Sequence, residues 1–216
     1  MLSSKEILML LEATGTSIYM TLVSTLMAYV IGLPVGVLLV VCAPGGLKPK
    51  KALYKILDII VNITRSIPFL ILMILATPLV RLIVGKSYGA NATIISLTLA
   101  AAPFVARLLE VDKGVIEAAQ SMGAGVWQIV TRVLIGEARV SLIVGSTIAL
   151  GTVLGYTAMS GAIGGGGLGD IAIRYGYSRW VPSLLITTVV LLVILMQIIQ
   201  AVGNRLSRKL DKRQSN

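Results

Sequence analysis

Few residues in this chain are equipped for covalent chemistry, and their types exclude more than they suggest. There is no histidine, the single cysteine is Cys42, and aspartate and glutamate together number 9. That composition rules out histidine-based acid–base catalysis and a disulfide framework, and it leaves no soft-ligand cluster for zinc or any other metal. The hydroxyl side chains have no histidine and no lysine partner within an apolar run, so a serine or threonine nucleophile would go unactivated. Gly164, Gly166 and Gly169 formally match G-x-G-x-x-G. A dinucleotide site needs that pattern to follow a strand inside a βαβ unit, whereas here a long apolar run precedes it; the tripeptide Gly85-Lys86-Ser87 makes no phosphate-cradling P-loop either, because Val80 stands where that motif needs its first glycine. The remaining candidate acts by docking: Glu117-Ala118-Ala119-Gln120-Ser121-Met122-Gly123, continued as Ala124-Gly125-Val126-Trp127-Gln128-Ile129-Val130, a polar interruption between apolar spans.

The elements that position this interruption are membrane helices. The 216 residues are 56% hydrophobic and 13% charged, with a mean hydropathy of +0.92; soluble domains carry about 25% charge. The sequence predicts an all-α membrane protein forming one transmembrane domain over 1–216, with spans at 17–41, 56–84, 88–106, 140–162 and 181–202 and a loop at 110–139. Ser3 and Glu6 read as a capping box opening a short interfacial helix that ends at Gly15. Acids at Glu6 and Glu12 ahead of the first long apolar run argue against a cleaved signal peptide. In the first span Ala28, Gly32 and Gly36 recur every four residues, a small face for close helix packing, and Gly151 and Gly155 repeat the pattern later. The second span is expected to cross lipid at 67–84, with 54–65 as its polar-faced inner end. No charge is expected at mid-depth of any span, where secondary transporters place their ion relays, so the driving force should come from another subunit.

The formal net charge of +10 would suit nucleic acid, but no soluble domain presents a basic patch; the charge reads as topology. With the amino terminus outside, Lys48, Lys50, Lys51, Lys55, Arg65, Arg107, Lys113, Arg132, Arg139 and a basic carboxyl-terminal tail fall inside, which puts the Glu117 loop in the cytoplasm.

Within that loop Val115, Ala118, Ala119 and Met122 share one helical face, and Val126, Ile129, Val130, Val133 and Leu134 form the stripe of a second amphipathic helix. Gly123 is the residue type that ends a helix with positive φ and turns the chain. Two readings fit: a surface offered to a partner, with Gln128 on the opposite and tolerant face, or an interfacial loop resting on lipid headgroups. Gly164, Gly165, Gly166, Gly167 and Gly169 likewise fit either a flexible connector or a gate or receptor contact.

Glu117, Ala118, Ala119 and Gly123 occupy the matching positions of the EAA loop, and the stretch resembles that loop of ATP-binding-cassette (ABC) importer permeases, type I. The family closes the motif with Leu-Pro, where Ile135-Gly136 stands here. The missing proline restores a backbone N–H and is expected to loosen the exit from the second helix. Arg65-Ser66-Ile67-Pro68-Phe69, Ala101-Ala102-Pro103-Phe104-Val105-Ala106-Arg107, Gly155-Tyr156-Thr157-Ala158-Met159-Ser160-Gly161, Gly166-Gly167-Leu168-Gly169 and Tyr175-Gly176-Tyr177 together are similar to the signatures of methionine-import permeases.

The resemblance implies a homodimer in the bacterial cytoplasmic membrane. It also implies two cytoplasmic ATPase subunits that bind ATP and Mg, and an extracytoplasmic binding protein that delivers L- or D-methionine. Glu117, Ala118, Ala119, Gly123, Val126, Ile129 and Val130 would then couple to the ATPase. Ser96, Thr98, Tyr156, Met159 and Ser160 are the candidate lining of the pathway, and Gly164–Gly169 the gate or binding-protein contact. No metal or cofactor is implied in this chain, which would not itself be an enzyme. Permeases for another amino acid or small solute, and an ATP-independent channel, are the alternatives.

Overall fold

The computed structural model describes residues 3–109 and 113–210, and no strand occurs among them. The first helix, α1 (Ser4–Cys42), begins at the expected capping box: the Glu6 N–H donates to Ser3 Oγ at 3.3 Å and the Ser3 N–H to Glu6 Oε2 at 2.7 Å. It does not end at Gly15. An internal glycine costs a helix only about 1 kcal/mol, no proline follows until Pro34, and the Thr14 and Thr16 hydroxyls donate back to the carbonyls of Leu10 and Glu12 without breaking the turn. One continuous rod of about 58 Å results, long enough to overrun a ~30 Å hydrocarbon core at both ends.

Most of the core forms where α1 crosses α5 (Ala90–Ala106). Met20, Ala28, Leu97, Ala101, Ala102 and Val105 are buried there with Phe69 and Met73. The small residues of α1 make this possible: a Cβ on Gly32 would stand 2.6 Å from the Ala102 carbonyl oxygen, and one on Gly36 would stand 2.5 Å from that of Ala106. The Gly32 face is thus spent inside the chain. Of the buried polar side chains on α1, Thr21 Oγ1 donates to the Ser17 carbonyl at 2.8 Å and Ser24 Oγ to that of Ile94 at 3.4 Å, while Thr25 Oγ1 is buried without a hydrogen-bond partner.

The second apolar stretch is broken, not straight. Helix α2 (Lys51–Ser66) ends at Ile67-Pro68, where the chain turns by 114° into α3 (Phe69–Leu75), which Ala76 separates from α4 (Thr77–Val84). Pro68 causes the break: the residue before proline is driven out of the α region, and Ile67 has φ −81° and ψ 125°. Tyr54, Leu57 and Val61 of α2 pack against Leu39 and Ala106, and Arg107 pairs with Asp58 and bonds Asn62, which fixes α2 to the end of α5.

After the turn Arg107–Leu109, α6 (Lys113–Ser121), α7 (Val126–Gln128), a π-helical turn Ile129–Leu134 and α8 (Ile135–Glu137) lead into the long α9 (Arg139–Ser160). The chain then doubles back through Gly161–Ile163 into α10 (Gly167–Ile171) and a π turn Ala172–Tyr177, and finishes in α11 (Pro182–Leu210). Among the described residues four stretches are long and apolar enough to cross a membrane, Ser4–Cys42, Ala90–Leu109, Arg139–Tyr177 and Pro182–Ser207, and the bent pair of α2 and α3 makes a fifth when taken as one span. Only 6% of the apolar window of the last is buried, the exposure of a helix that meets lipid.

Candidate functional site: an exposed helix pair and the surfaces it connects to

Helix α6 ends in the geometry its sequence suggests. Gly123 has φ +79°, the Ala124 N–H donates to the Ala119 carbonyl at 3.1 Å, and the Gly123 N–H donates to that of Gln120 at 2.9 Å. This crossed pair of bonds is a Schellman motif, which satisfies carbonyls that the helix end would orphan. Two residues on, the Gly125 N–H donates to Gln128 Oε1 at 3.0 Å. Gln128, expected on an idle face, caps the second helix.

The second apolar stripe faces inward, whereas of the first only Ala119 does, with Val115, Ala118 and Met122 exposed. Ile116, Ala119, Ile129, Val130 and Leu134 form a buried cluster, with Val37, Val40, Val41 and Leu47 from the end of α1 and Val126 and Val133 packed around it. Of the seven residues proposed from sequence for coupling, Ala119, Ile129 and Val130 are therefore inside this cluster and Val126 is half-buried, while Glu117, Ala118 and Gly123 are exposed. The outward face instead carries Met122, 81% exposed, and Trp127, 78% exposed. Met122 belongs to the expected face of the first helix, which turns outward here, whereas Trp127 lies off the second stripe and was missed; the signal was a tryptophan on the face an amphipathic helix should give to water.

The exit toward α9 is not loose. With a backbone N–H restored at Gly136, the chain stays helical from Val126 to Glu137 and resumes at Arg139. The Ala138 N–H donates to Leu134 at 3.0 Å and the Leu142 N–H to Ala138 at 2.8 Å, which carries the ladder across the joint.

The five residues expected to line a pathway do not share one surface. Ser96, Thr98 and Ser160 are buried between helices, and Ser160 Oγ donates to the Thr157 carbonyl at 2.7 Å. Met159 is exposed, and Tyr156 stacks on Phe69 with ring centroids 4.3 Å apart. With Ile148 and Thr152, Met159 belongs to an outward stripe on α9 that includes Gly155, whose absent Cβ would meet nothing within 4 Å. The glycine-rich turn is built into the fold and is no loose connector. Gly164, Gly166 and Gly167 have φ of 76°, 85° and 76°. A Cβ on Gly165 would stand 2.8 Å from Thr93 Oγ1, one on Gly169 would enter the Ala158 backbone, and the Leu168 N–H donates to Ser17 Oγ at 2.9 Å. Gly165, Gly167 and Gly169 are buried, leaving Gly164 and Gly166 half-buried at its surface. Among the described residues no three His, Cys, Asp or Glu side chains converge as a metal site.

These features define a multi-pass helical membrane protein with a small helix pair projecting from one end of its bundle. The family described as "Binding-protein-dependent transport system inner membrane component" matches residues 28–216, and the chain belongs to that family. A relative from Vibrio cholerae named "Probable D-methionine transport system permease protein MetI" is 45% identical over 210 residues, covering 95% of this chain and 93% of the relative. The Escherichia coli K12 "D-methionine transport system permease protein MetI" is 48% identical over 158 residues, 71% of this chain and 73% of that one. Among solved structures, an inward-facing MetNI methionine ABC transporter matches with a TM-score of 0.93 and 45% identity, over 98% of this chain and 100% of that one.

Proposed function

We propose that this chain is the permease subunit of an ATP-driven importer that carries methionine, in its L or D form, from an extracytoplasmic binding protein into the cytoplasm. What supports this most is likeness to methionine permeases along 95% of the chain, joined to a helix pair whose exposed face is free to dock. In this reading two copies of the chain form the pathway and two cytoplasmic ATPase subunits bind ATP and Mg. The permease is not itself an enzyme: it converts movement of the ATPase into movement of its spans. The inward cluster gives that movement a route. Displacement at Trp127 and Met122 passes through Ile129 and Leu134 to the end of α1, and through the bonded joint at Ala138 into α9. Packed contacts transmit such motion without reactive groups.

The test is reconstitution of the chain with its ATPase and binding protein in vesicles. Uptake of labelled methionine that requires ATP is the expected result. ATP-independent flux would make it a channel, and ATP-driven uptake of another solute alone would reassign the substrate. Orientation is tested separately in a Cys42→Ala chain, since Cys42 is the free and buried thiol. Ser4→Cys is expected to react with an impermeant maleimide from outside, and Pro49→Cys and Thr131→Cys only after the membrane is opened; external labelling at 131 would invert the topology.

A further inference from the structure

The broken span opens onto a cavity of about 160 Å3 between α2, α3, α5 and α9. It is smaller than the roughly 300–1,000 Å3 of sites for drug-sized ligands. On its wall lie Thr64, Arg65, Phe69, Phe104, Thr152 and Tyr156. Phe69 and Tyr156 stack with their planes within 3°, so a flat, polarisable aromatic pair closes one side. Arg65 has no hydrogen-bond or ion-pair partner among the described residues, and no carboxylate lines the cavity, whereas Arg107 pairs with Asp58 and Arg174 with Asp170. Arg65 is exposed at the break between α2 and α3, so its guanidinium is open to an anionic visitor.

The acceptors sit in the same wall. Thr64 Oγ1 donates to the Ile60 carbonyl and Thr152 Oγ1 to that of Ile148, each at 2.8 Å. With those protons committed, both oxygens remain as acceptors only. The Thr64 carbonyl is left without its helical donor, because the residue four positions on is Pro68, which has no N–H. A positive fork, a group of acceptors and an aromatic face within one small cavity form the complement of a zwitterionic amino acid with a polarisable side chain.

We propose that this cavity is a transient binding subsite on the permease itself for the transported amino acid. Arg65 takes the α-carboxylate, the Thr64 and Thr152 oxygens take the ammonium, and the stacked Phe69–Tyr156 pair takes a thioether side chain. The inference rests on the importer reading. A broken helix leaves backbone acceptors open to cargo, a carboxylate–guanidinium pair is strong and directional, and sulfur packs favourably on aromatic rings.

The experiment uses the whole permease–ATPase complex without its binding protein. Equilibrium binding of labelled methionine is measured beside methioninol, which lacks the carboxylate, and ATP-driven uptake is measured with the binding protein restored. Arg65→Gln is expected to weaken methionine binding roughly tenfold or more, the loss of a charge-assisted hydrogen bond. It should leave the weak binding of methioninol unchanged, and Arg65→Lys should recover part of the difference. Tyr156→Leu, which keeps Arg65, should weaken both ligands, while Arg81→Gln, remote from the cavity, should weaken neither; copurification of the ATPase verifies that each variant is assembled. Wild-type uptake of methionine with Arg65→Gln binding equal to wild type overturns the subsite and leaves the importer reading standing. Absence of methionine uptake by the wild type overturns both.

Discussion

Replacing Gly32 by leucine is expected to remove the assembled permease from the membrane. The α1–α5 crossing holds most of the buried core, and at Gly32 the two backbones approach so closely that even one carbon would stand 2.6 Å from the Ala102 carbonyl oxygen and 2.7 Å from Val105 Cβ. An overpacked side chain can sometimes swing away at a cost of about 1–3 kcal/mol. A backbone carbonyl in the middle of α5 cannot, so the helices must separate and Leu97, Ala101 and Val105 lose their contacts with α1. Gly155→Leu offers the contrast. Its site is open within the chain, so the monomer should fold and only the joining of two copies should fail. The measurement is the amount of detergent-extracted protein at each oligomeric size, with resistance to protease. Gly32→Leu that elutes and resists protease like the wild type would refute the packing argument, and Gly155→Leu that still dimerises would assign that face of α9 to lipid.

The apolar runs were legible in the sequence because membrane helices declare themselves by composition, and the turn at Gly123 was legible because only glycine sits cheaply at φ +79°. The small-residue face of α1 was read as a packing face, and it is one, though its partner on α5 carried no sign of the pairing. What escaped reading depends on contacts distant in sequence. The stripe through Ile129 and Leu134 has the same spacing whether it meets another subunit or the chain's own α1; only the fold brings Val37 and Val40 against it. The second span was read as one element over 56–84, because a gentle kink and a turn of 114° at Pro68 have the same letters; the difference is made by the packing of α2 on α1 and α5 and of Phe69 and Met73 of α3 in the core. The glycine-rich run was ambiguous for a related reason. Its positive φ values make it look flexible until Ser17, Thr93 and Ala158 are seen filling the space its missing side chains leave.

Trp127→Ala is expected to break the link to the ATPase while leaving the permease folded. Trp127 is 78% exposed and belongs to none of the buried clusters, so its removal takes nothing from the helix pair. At interfaces, however, exposed tryptophans are the residues whose truncation most often costs 2 kcal/mol or more, about a thirtyfold loss of affinity. Gly123→Val should be milder and act differently. Nothing lies within 4 Å of the new side chain, so the whole effect is backbone strain of roughly 1–2 kcal/mol, released by opening the Schellman turn and tilting α6 away from α7. Ala119→Leu should be worse than either for folding, because Ala119 is 4% exposed inside the cluster, and its failure would appear as reduced yield of the permease itself. The ordering is checked by copurification of the ATPase and by ATP-driven uptake per copy of assembled permease. Trp127→Ala and Gly123→Val should insert at wild-type levels, with docking falling furthest for the first. If Trp127→Ala retains its ATPase and transports at the wild-type rate, the exposed face of the helix pair rests on lipid headgroups, and coupling must run through another surface.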